Sequence, residues 1–424
     1  MRSESCTPPW RRPRSDRGRE NTMEALLWLL LITPFCLLAV AASGWVYGRF
    51  RPARVRQWST KRASPEFPPI DGPQRVAVLI ACFRGAGTIG QTVESALLTG
   101  CDVYVVDDGS KQKSPSDRTA EVARAAGATV LELPVNGGKP KALHSAFHQL
   151  CLGTRYEAVA ILDDDVLIEP DFIERSLEKM EDPSVAIAVG KNITWWPAEH
   201  RWNMWLAKRA FSYWNFQLTI RHVQSLFGVM NCISGSNSVY RSGLLEHVLV
   251  EKTPYIVDDT YWVLEAQRRN LGGVVYAPRA RAHLQDPTNF KDWYSQNLRW
   301  LWGTFQGIIG HRVARQASRF DAAYILLMLH WTIYVVSAPV ALVAMVVAAH
   351  QAPIFLLLFF AGYSFWIVAA SIGLRQPRLL VFTVPIIISD FIYRCLFVHA
   401  LVKAVRQPTV ENCVWTSPAR ITTA

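Results

Sequence analysis

The chain has 424 residues, half of them hydrophobic, with 16 Trp and a formal charge of +11. That length allows more than one domain, and the apolar content argues against a wholly water-soluble protein. Eight cysteines without a C-x-x-C pair argue against a disulfide framework or a zinc cluster.

The arginines gather beside apolar stretches of membrane length. The basic excess is therefore assigned to anionic lipid headgroups and an anionic substrate, not to nucleic acid. Residues 1–22 are Arg-rich without apolar periodicity and are expected to be disordered or untranslated. Residues 23–47 form the first of four stretches long enough to span a bilayer; the others are 322–349, 353–374 and 379–402, inside a block of three helices over 321–402. Basic residues before and after the first span balance, so the positive-inside rule ties. A start at Met23 would break the tie. The expectation is then an N-terminus outside the plasma membrane and a cytosolic chain beyond residue 48.

A proline-rich linker (48–74) leads into a domain over 75–290. There "RVAVLIAC", "DVYVVDDGS", "TVLELP" and "YEAVAILDDD" alternate with helical stretches, the pattern of an α/β, parallel, doubly wound sheet. Such sheets bind ligands at the carboxyl ends of their strands. Two strands end there in acids, Asp107-Asp108 and Asp163-Asp164-Asp165. Asp163 and Asp165 have the spacing to present two carboxylates to one cation, Mg²⁺ or Mn²⁺, on a nucleotide diphosphate. Asp164 would point elsewhere, to a ribose hydroxyl or a backbone N–H. Between the two clusters, "NGGK" (136–139) offers a close-approach backbone and Lys139 for a phosphate; taken alone it reads more readily as an ordinary glycine turn before a helix.

A third acidic pair, Asp258-Asp259, could supply the general base a sugar transfer needs, or could merely complement a helix N-terminus. Two amphipathic helices are expected at the membrane interface. One covers 202–227, its apolar seam broken by Arg209. The other lies in 291–320, with Gln296, Arg299, Gly303 and Gln306 on one face. A tail follows over 403–424.

Together these pieces resemble the processive, membrane-embedded family-2 glycosyltransferases: hyaluronan, chitin and chitooligosaccharide synthases, and more distantly cellulose synthase. The family order of Asp-Asp-Gly, Asp-x-Asp, Thr-Glu-Asp and Gln-x-x-Arg-Trp appears as Asp107-Asp108-Gly109, Asp163–Asp165, Val257-Asp258-Asp259 and Gln296–Trp300. "NCISGSNSVYR" (231–241) resembles the acceptor-side segment, with Ser234 and Gly235 matched and Ser236 in place of proline.

The resemblance implies a GT-A-type nucleotide-sugar domain and an inverting, metal-dependent β-transfer from a UDP-sugar, UDP-N-acetylglucosamine and/or UDP-glucuronate, to a growing polysaccharide exported through the bilayer. Asp107 or Asp108 would meet the uridine, and Asp163 and Asp165 the metal, with Lys139 near the phosphates. Asp259 would be the base; Asp258, Ser234 and Gly235 would lie on the acceptor side. Gln296, Arg299 and Trp300 would line the nucleotide and acceptor site. About four spans make a tight channel, which a homo-oligomer would relieve. Two rivals stay open: transfer of a single sugar to a lipid carrier, and an inactive membrane scaffold.

Overall fold

A computed structural model describes residues 65–315, 318–347 and 349–411. The N-terminal stretch 1–22, the first span 23–47 and most of the linker lie outside the described residues, as does the tail beyond 411.

Among the described residues eight strands form one sheet in the order β3-β2-β1-β4-β7-β6-β8-β5. They are β1 Val76–Cys82, β2 Asp102–Asp107, β3 Thr129–Glu132, β4 Ala158–Asp163, β5 Val166–Ile168, β6 Val185–Thr194, β7 Asn237–Arg241 and β8 Gly273–Leu284. The first four are parallel, as the alternation predicts. The rest of the sheet departs from a purely parallel design, because β7 runs antiparallel between β4 and β6. The reason is where the chain re-enters. Before β7 it runs through helices above the carboxyl edge, so it comes back into the sheet from that edge, with Asn237 opposite Leu162 near the end of β4.

The first strands are almost continuously apolar, as burial on both faces requires. One face packs Leu79, Tyr104 and Ile161 on Leu143 and Phe147; the other packs Val78, Ile80 and Val105 on Ile89 and Val93. The helices that matter for the site are α1 Ile89–Leu97, α2 Lys139–Gln149, α3 Met204–Phe216, α4 Asp258–Arg268 and α5 Phe290–Gly310, followed by α6 Arg319–Val347, α7 Ala352–Leu374 and α8 Thr383–Arg406.

Among the described residues three segments are long and apolar enough to cross a membrane: Phe320–Val343, Ala352–Leu374 and Pro377–Arg406. Leu326, Leu342, Leu357 and Ile372 are exposed on them, an arrangement that suits lipid rather than water. Helix α5 ties the sheet domain to these spans. Its Trp293, Leu301, Trp302 and Phe305 pack on Leu396, Phe397, Ala400 and Ala404 of α8. Half of its polar face is used for docking. Gln306 Oε1 accepts from Ile256 N–H at 2.9 Å, and a Cβ on Gly303 would lie 2.6 Å from Val257 Cγ2.

A second tie is ionic. Asp390, inside the last span, accepts from Tyr334 (2.9 Å) and Tyr363 (2.6 Å), with Arg394 Nε at 3.5 Å and Lys208 of α3 at 3.4 Å. An intramembrane carboxylate is tolerated only when paired and hydrogen-bonded in this way. Asp390→Ala should therefore destabilise the protein by about 3–5 kcal/mol, because Lys208 and Arg394 would stay buried without their acid. Thermal melting of detergent-purified protein measures this. The double variant Asp390→Leu/Lys208→Met should recover much of the loss, and a wild-type melting temperature for Asp390→Ala would refute the role.

Candidate active site

Parallel pairing sets Cys82 beside Asp107 and Ala81 beside Asp163, so both acidic strand ends emerge along one edge of the sheet. The Asp-Asp-Gly turn acts there as a latch. Asp107 is buried and turned inward, accepting from Ser110 N–H at 3.1 Å, and it does not line the cavity described below. Asp108 does line it. Its carboxylate accepts from Gly137 N–H (2.8 Å), Gly138 N–H (2.7 Å) and the Asn136 amide (3.0 Å). Burial raises both carboxyls above the ordinary aspartate value, most directly opposed by the hydrogen bonds from Ser110 and from the glycine amides. Gly109 has φ +70°, and a Cβ there would come within 2.5 Å of Asn136 N, so the turn needs glycine.

The latched loop sets Lys139 at the first position of α2. Its Nζ lies 2.5 Å from Asp163 Oδ1 and 3.3 Å from Gly235 O. Burial alone would lower this lysine's pKa, but the carboxylates of Asp163, Asp258 and Asp259 outweigh it and keep the amine protonated. Beyond β4, exposure alternates along the turn. Asp163 and Asp165 are partly exposed and line the cavity. Asp164 is buried; it accepts from the Cys82 thiol at 2.9 Å, and its carbonyl accepts from Thr92 of α1 at 3.1 Å. Its carboxylate thus meets a thiol of β1, while Asp164 also lines the cavity.

Asp163 and Asp165 are hard oxygen donors, suited to Mg²⁺ or Mn²⁺. Among the described residues no three His, Cys, Asp or Glu side chains converge into a metal cage. The pair fits a cation that draws its remaining ligands from phosphate oxygens and water, as Mg²⁺ characteristically does.

Helix α4 brings Asp258 and Asp259 to the same place. Asp259 Oδ2 accepts from Gly235 N–H at 2.8 Å, and a Cβ on Gly235 would sit 2.6 Å from that oxygen. Burial and the neighbouring Asp258 raise the Asp259 carboxyl to about 6, against Lys139, the Gly235 N–H and Arg299. Asp258 Oδ2 is buried without a hydrogen-bond partner. Ser234, in the same loop as Gly235, shares a 2.8 Å hydrogen bond with Ser236.

From α5, Gln296, Arg299 and Trp300 line the cavity. Gln296 Oε1 accepts from Arg209 Nη2, and the Arg209 guanidinium stands 4.6 Å from the centre of the Trp300 ring. Arg209 also donates to Asn297 (3.2 Å) and pairs with Asp286 at 3.1 Å, with both side chains buried. Arg209 is the organising cation of this wall, although in the sequence it only interrupts an apolar seam. Asp286, its partner, is a lone acid before a proline, and nothing local in the sequence singles it out.

These groups surround one continuous cavity of about 2120 Å³. It runs from Asp108, Lys139 and Asp163 past Asp259 and Trp300 to Tyr334, Tyr363 and Asp390 in the spans.

Comparison with known proteins agrees with this architecture. Residues 73–303, more than half of the chain, match the family model described as "Glycosyltransferase like family 2". An N-acetylglucosaminyltransferase of Mesorhizobium japonicum is 29% identical over 249 residues, covering 54% of this chain and 56% of the relative. A poly-beta-1,6-N-acetyl-D-glucosamine synthase of Staphylococcus epidermidis is 26% identical over 249 residues, covering 56% and 55%. The chain thus spans about half the length of the curated relatives it matches. In fold it is similar to a mannosyltransferase of Pyrobaculum calidifontis solved with GDP-Man and Mn²⁺, with a TM-score of 0.56 at 18% identity over 90% of this chain and 99% of that one. The chain belongs to the family-2 glycosyltransferases.

Proposed function

We propose that the protein is an inverting β-glycosyltransferase that moves a sugar, N-acetylglucosamine, from its UDP donor to a hydroxyl of a growing glycan. The observation that carries this reading is Asp259. It is a carboxylate raised to about 6 and held by the Gly235 N–H, on a cavity that also contains Lys139 and the Asp163–Asp165 pair. A general base must be ionised near neutral pH yet basic enough to take a proton, and such a carboxyl satisfies both conditions.

In the proposed reaction Asp259 accepts the proton of the acceptor hydroxyl. That oxygen bonds to the anomeric carbon from the face opposite the diphosphate, and the bond to UDP breaks, leaving the configuration inverted. Asp163 and Asp165 would hold Mg²⁺ or Mn²⁺, which supplies positive charge to the departing diphosphate. Lys139 and Arg299 add fixed positive charge beside it. Asp108 serves the uridine side by fixing the glycine loop, and Asp107 by holding the turn beneath it. Trp300, clamped by Arg209, gives the acceptor sugar an aromatic face.

N-acetylglucosamine is favoured by the relatives' names. Repeated addition, with export of the product from a cytosolic site, is favoured by the continuation of the cavity among the spans. Transfer of one sugar to a lipid carrier is the competing outcome.

Purified protein in nanodiscs, given UDP-sugars singly and in pairs with Mn²⁺ or Mg²⁺, should release UDP with UDP-N-acetylglucosamine and, with that donor alone or together with a second one, build a product ladder. A single lipid-linked sugar would remove the processive reading, and no turnover with any donor would remove the transferase. Asp259→Asn should cost at least about 10²-fold in kcat while UDP still binds. The wild-type rate should fall about tenfold per pH unit below roughly pH 6, as Asp259 is protonated and loses its capacity to accept; a flat profile from pH 5 to 8 would exclude Asp259 as base. Gly235→Ala forces the Asp259 carboxylate to move and should lower kcat about tenfold or more, with UDP affinity, read by calorimetry, little changed.

A further inference from the structure

Among the described residues four basic side chains of this region and the sheet are buried: Lys208, Arg209, Arg221 and Arg241. Three are compensated. Lys208 pairs with Asp390 and Arg209 with Asp286, while Arg241 donates to the carbonyls of Pro68, Met180 and Val185. Arg221 is the exception. It is 4% exposed, its Nη1 makes only long contacts to Gly190 O (3.4 Å) and Asn192 Oδ1 (3.5 Å), and its Nε has no hydrogen-bond partner. Among the described residues no carboxylate pairs with it, and the Phe216 ring stands 5.5 Å away.

A guanidinium held out of water without an anion is strongly unfavourable, and its natural complement is a carboxylate or phosphate taken in bidentate fashion. Arg221 lines the catalytic cavity. It closes a π-helical turn, Gln217–Arg221, the kind of local irregularity that recurs at functional sites. Gln217 pins that turn to β6, accepting from Asn192 N–H at 2.8 Å and donating to Asn192 O at 2.9 Å. The same Asn192 Oδ1 also accepts from the Asn237 side chain at 3.0 Å, two residues beyond Gly235. The donor's phosphates already have Lys139, Arg299 and the proposed cation.

We propose that Arg221 forms an acceptor-side oxyanion subsite, binding a negatively charged oxygen group carried by the acceptor: a hexuronate carboxylate or a phosphate. This rests on the transferase reading above and adds that the acceptor is anionic close to its reacting hydroxyl.

The test uses the full chain in nanodiscs at saturating donor, with three acceptors: a neutral N-acetylglucosamine oligosaccharide, the same oligosaccharide ending in a hexuronate, and N-acetylglucosamine linked to a polyprenyl diphosphate. One charged acceptor should show a KM at least about tenfold below the neutral one, and which of the two does so identifies the source of the oxyanion. Arg221→Gln should bring that KM ratio close to one, Arg221→Lys should restore part of it, and UDP affinity should hardly move in either. Equal KM values for all three acceptors in the wild type would overturn the subsite. So would an Arg221→Gln defect of equal size on charged and neutral acceptors. If Arg221→Gln does not fold, competition in the wild type decides: free hexuronate or inorganic phosphate should compete with the acceptor where an uncharged hexose does not, and equal inhibition overturns the proposal. Failure of the transferase reading would look different, as no UDP release from any donor.

Discussion

The cation of Lys139 is the constraint on which the site depends. It faces Asp163 at 2.5 Å and is raised by Asp163, Asp258 and Asp259 together. Three carboxylates from two separate elements, the β4 end and the start of α4, could not converge on one edge without such a charge between them. The lysine is placed there by backbone. Asp108 grips Gly137 and Gly138, that loop starts α2, and the first helical residue is Lys139. The Asp-Asp-Gly turn therefore contributes to the site through geometry as much as through direct contact with a ligand.

Arg209 does for the membrane-facing wall what Lys139 does for the sheet edge. It joins α3 to α5 through Gln296, Asn297 and the Trp300 face, and to the end of the sheet through Asp286. One helical position earlier, Lys208 reaches Asp390 in the last span. Adjacent cations on α3 thus face opposite partners, one in the cavity wall and one in the membrane block. Movement of α3 would be felt on both sides, since neither buried charge can lose its acid cheaply.

The α/β alternation, the apolar spans and the acidic strand ends were legible in the sequence, because each is a local pattern imposed by burial or by the period of an element. Asp163, Asp165, Lys139, Asp259, Arg299 and Trp300 were legible as candidates, and the fold gathers them around one cavity. Asp107 was legible only as one member of a pair; the fold turns it beneath the turn and away from the cavity. The antiparallel course of β7 was not legible, since a strand's direction in a sheet depends on where its preceding loop lies. Nor were Asp286, Asp390 and Arg221. Each is an isolated charge whose meaning depends on a residue far away in sequence, or on the lack of one.

What the sequence determined by itself was the set of local choices: which segments can be strands, which must sit in lipid, and which short motifs can carry a nucleotide-sugar chemistry. Turn residues such as Gly109 and Gly138 belong there too, because positive φ is a property of the residue itself. Tertiary structure decided which charges meet. Arg209, Arg221 and Arg241 are equivalent as letters, yet one is paired with an acid, one is saturated by carbonyls and one is left facing the cavity without an anion. The physical reason is that the cost of a buried charge depends on the few ångströms around it, and those are filled by residues from other parts of the chain.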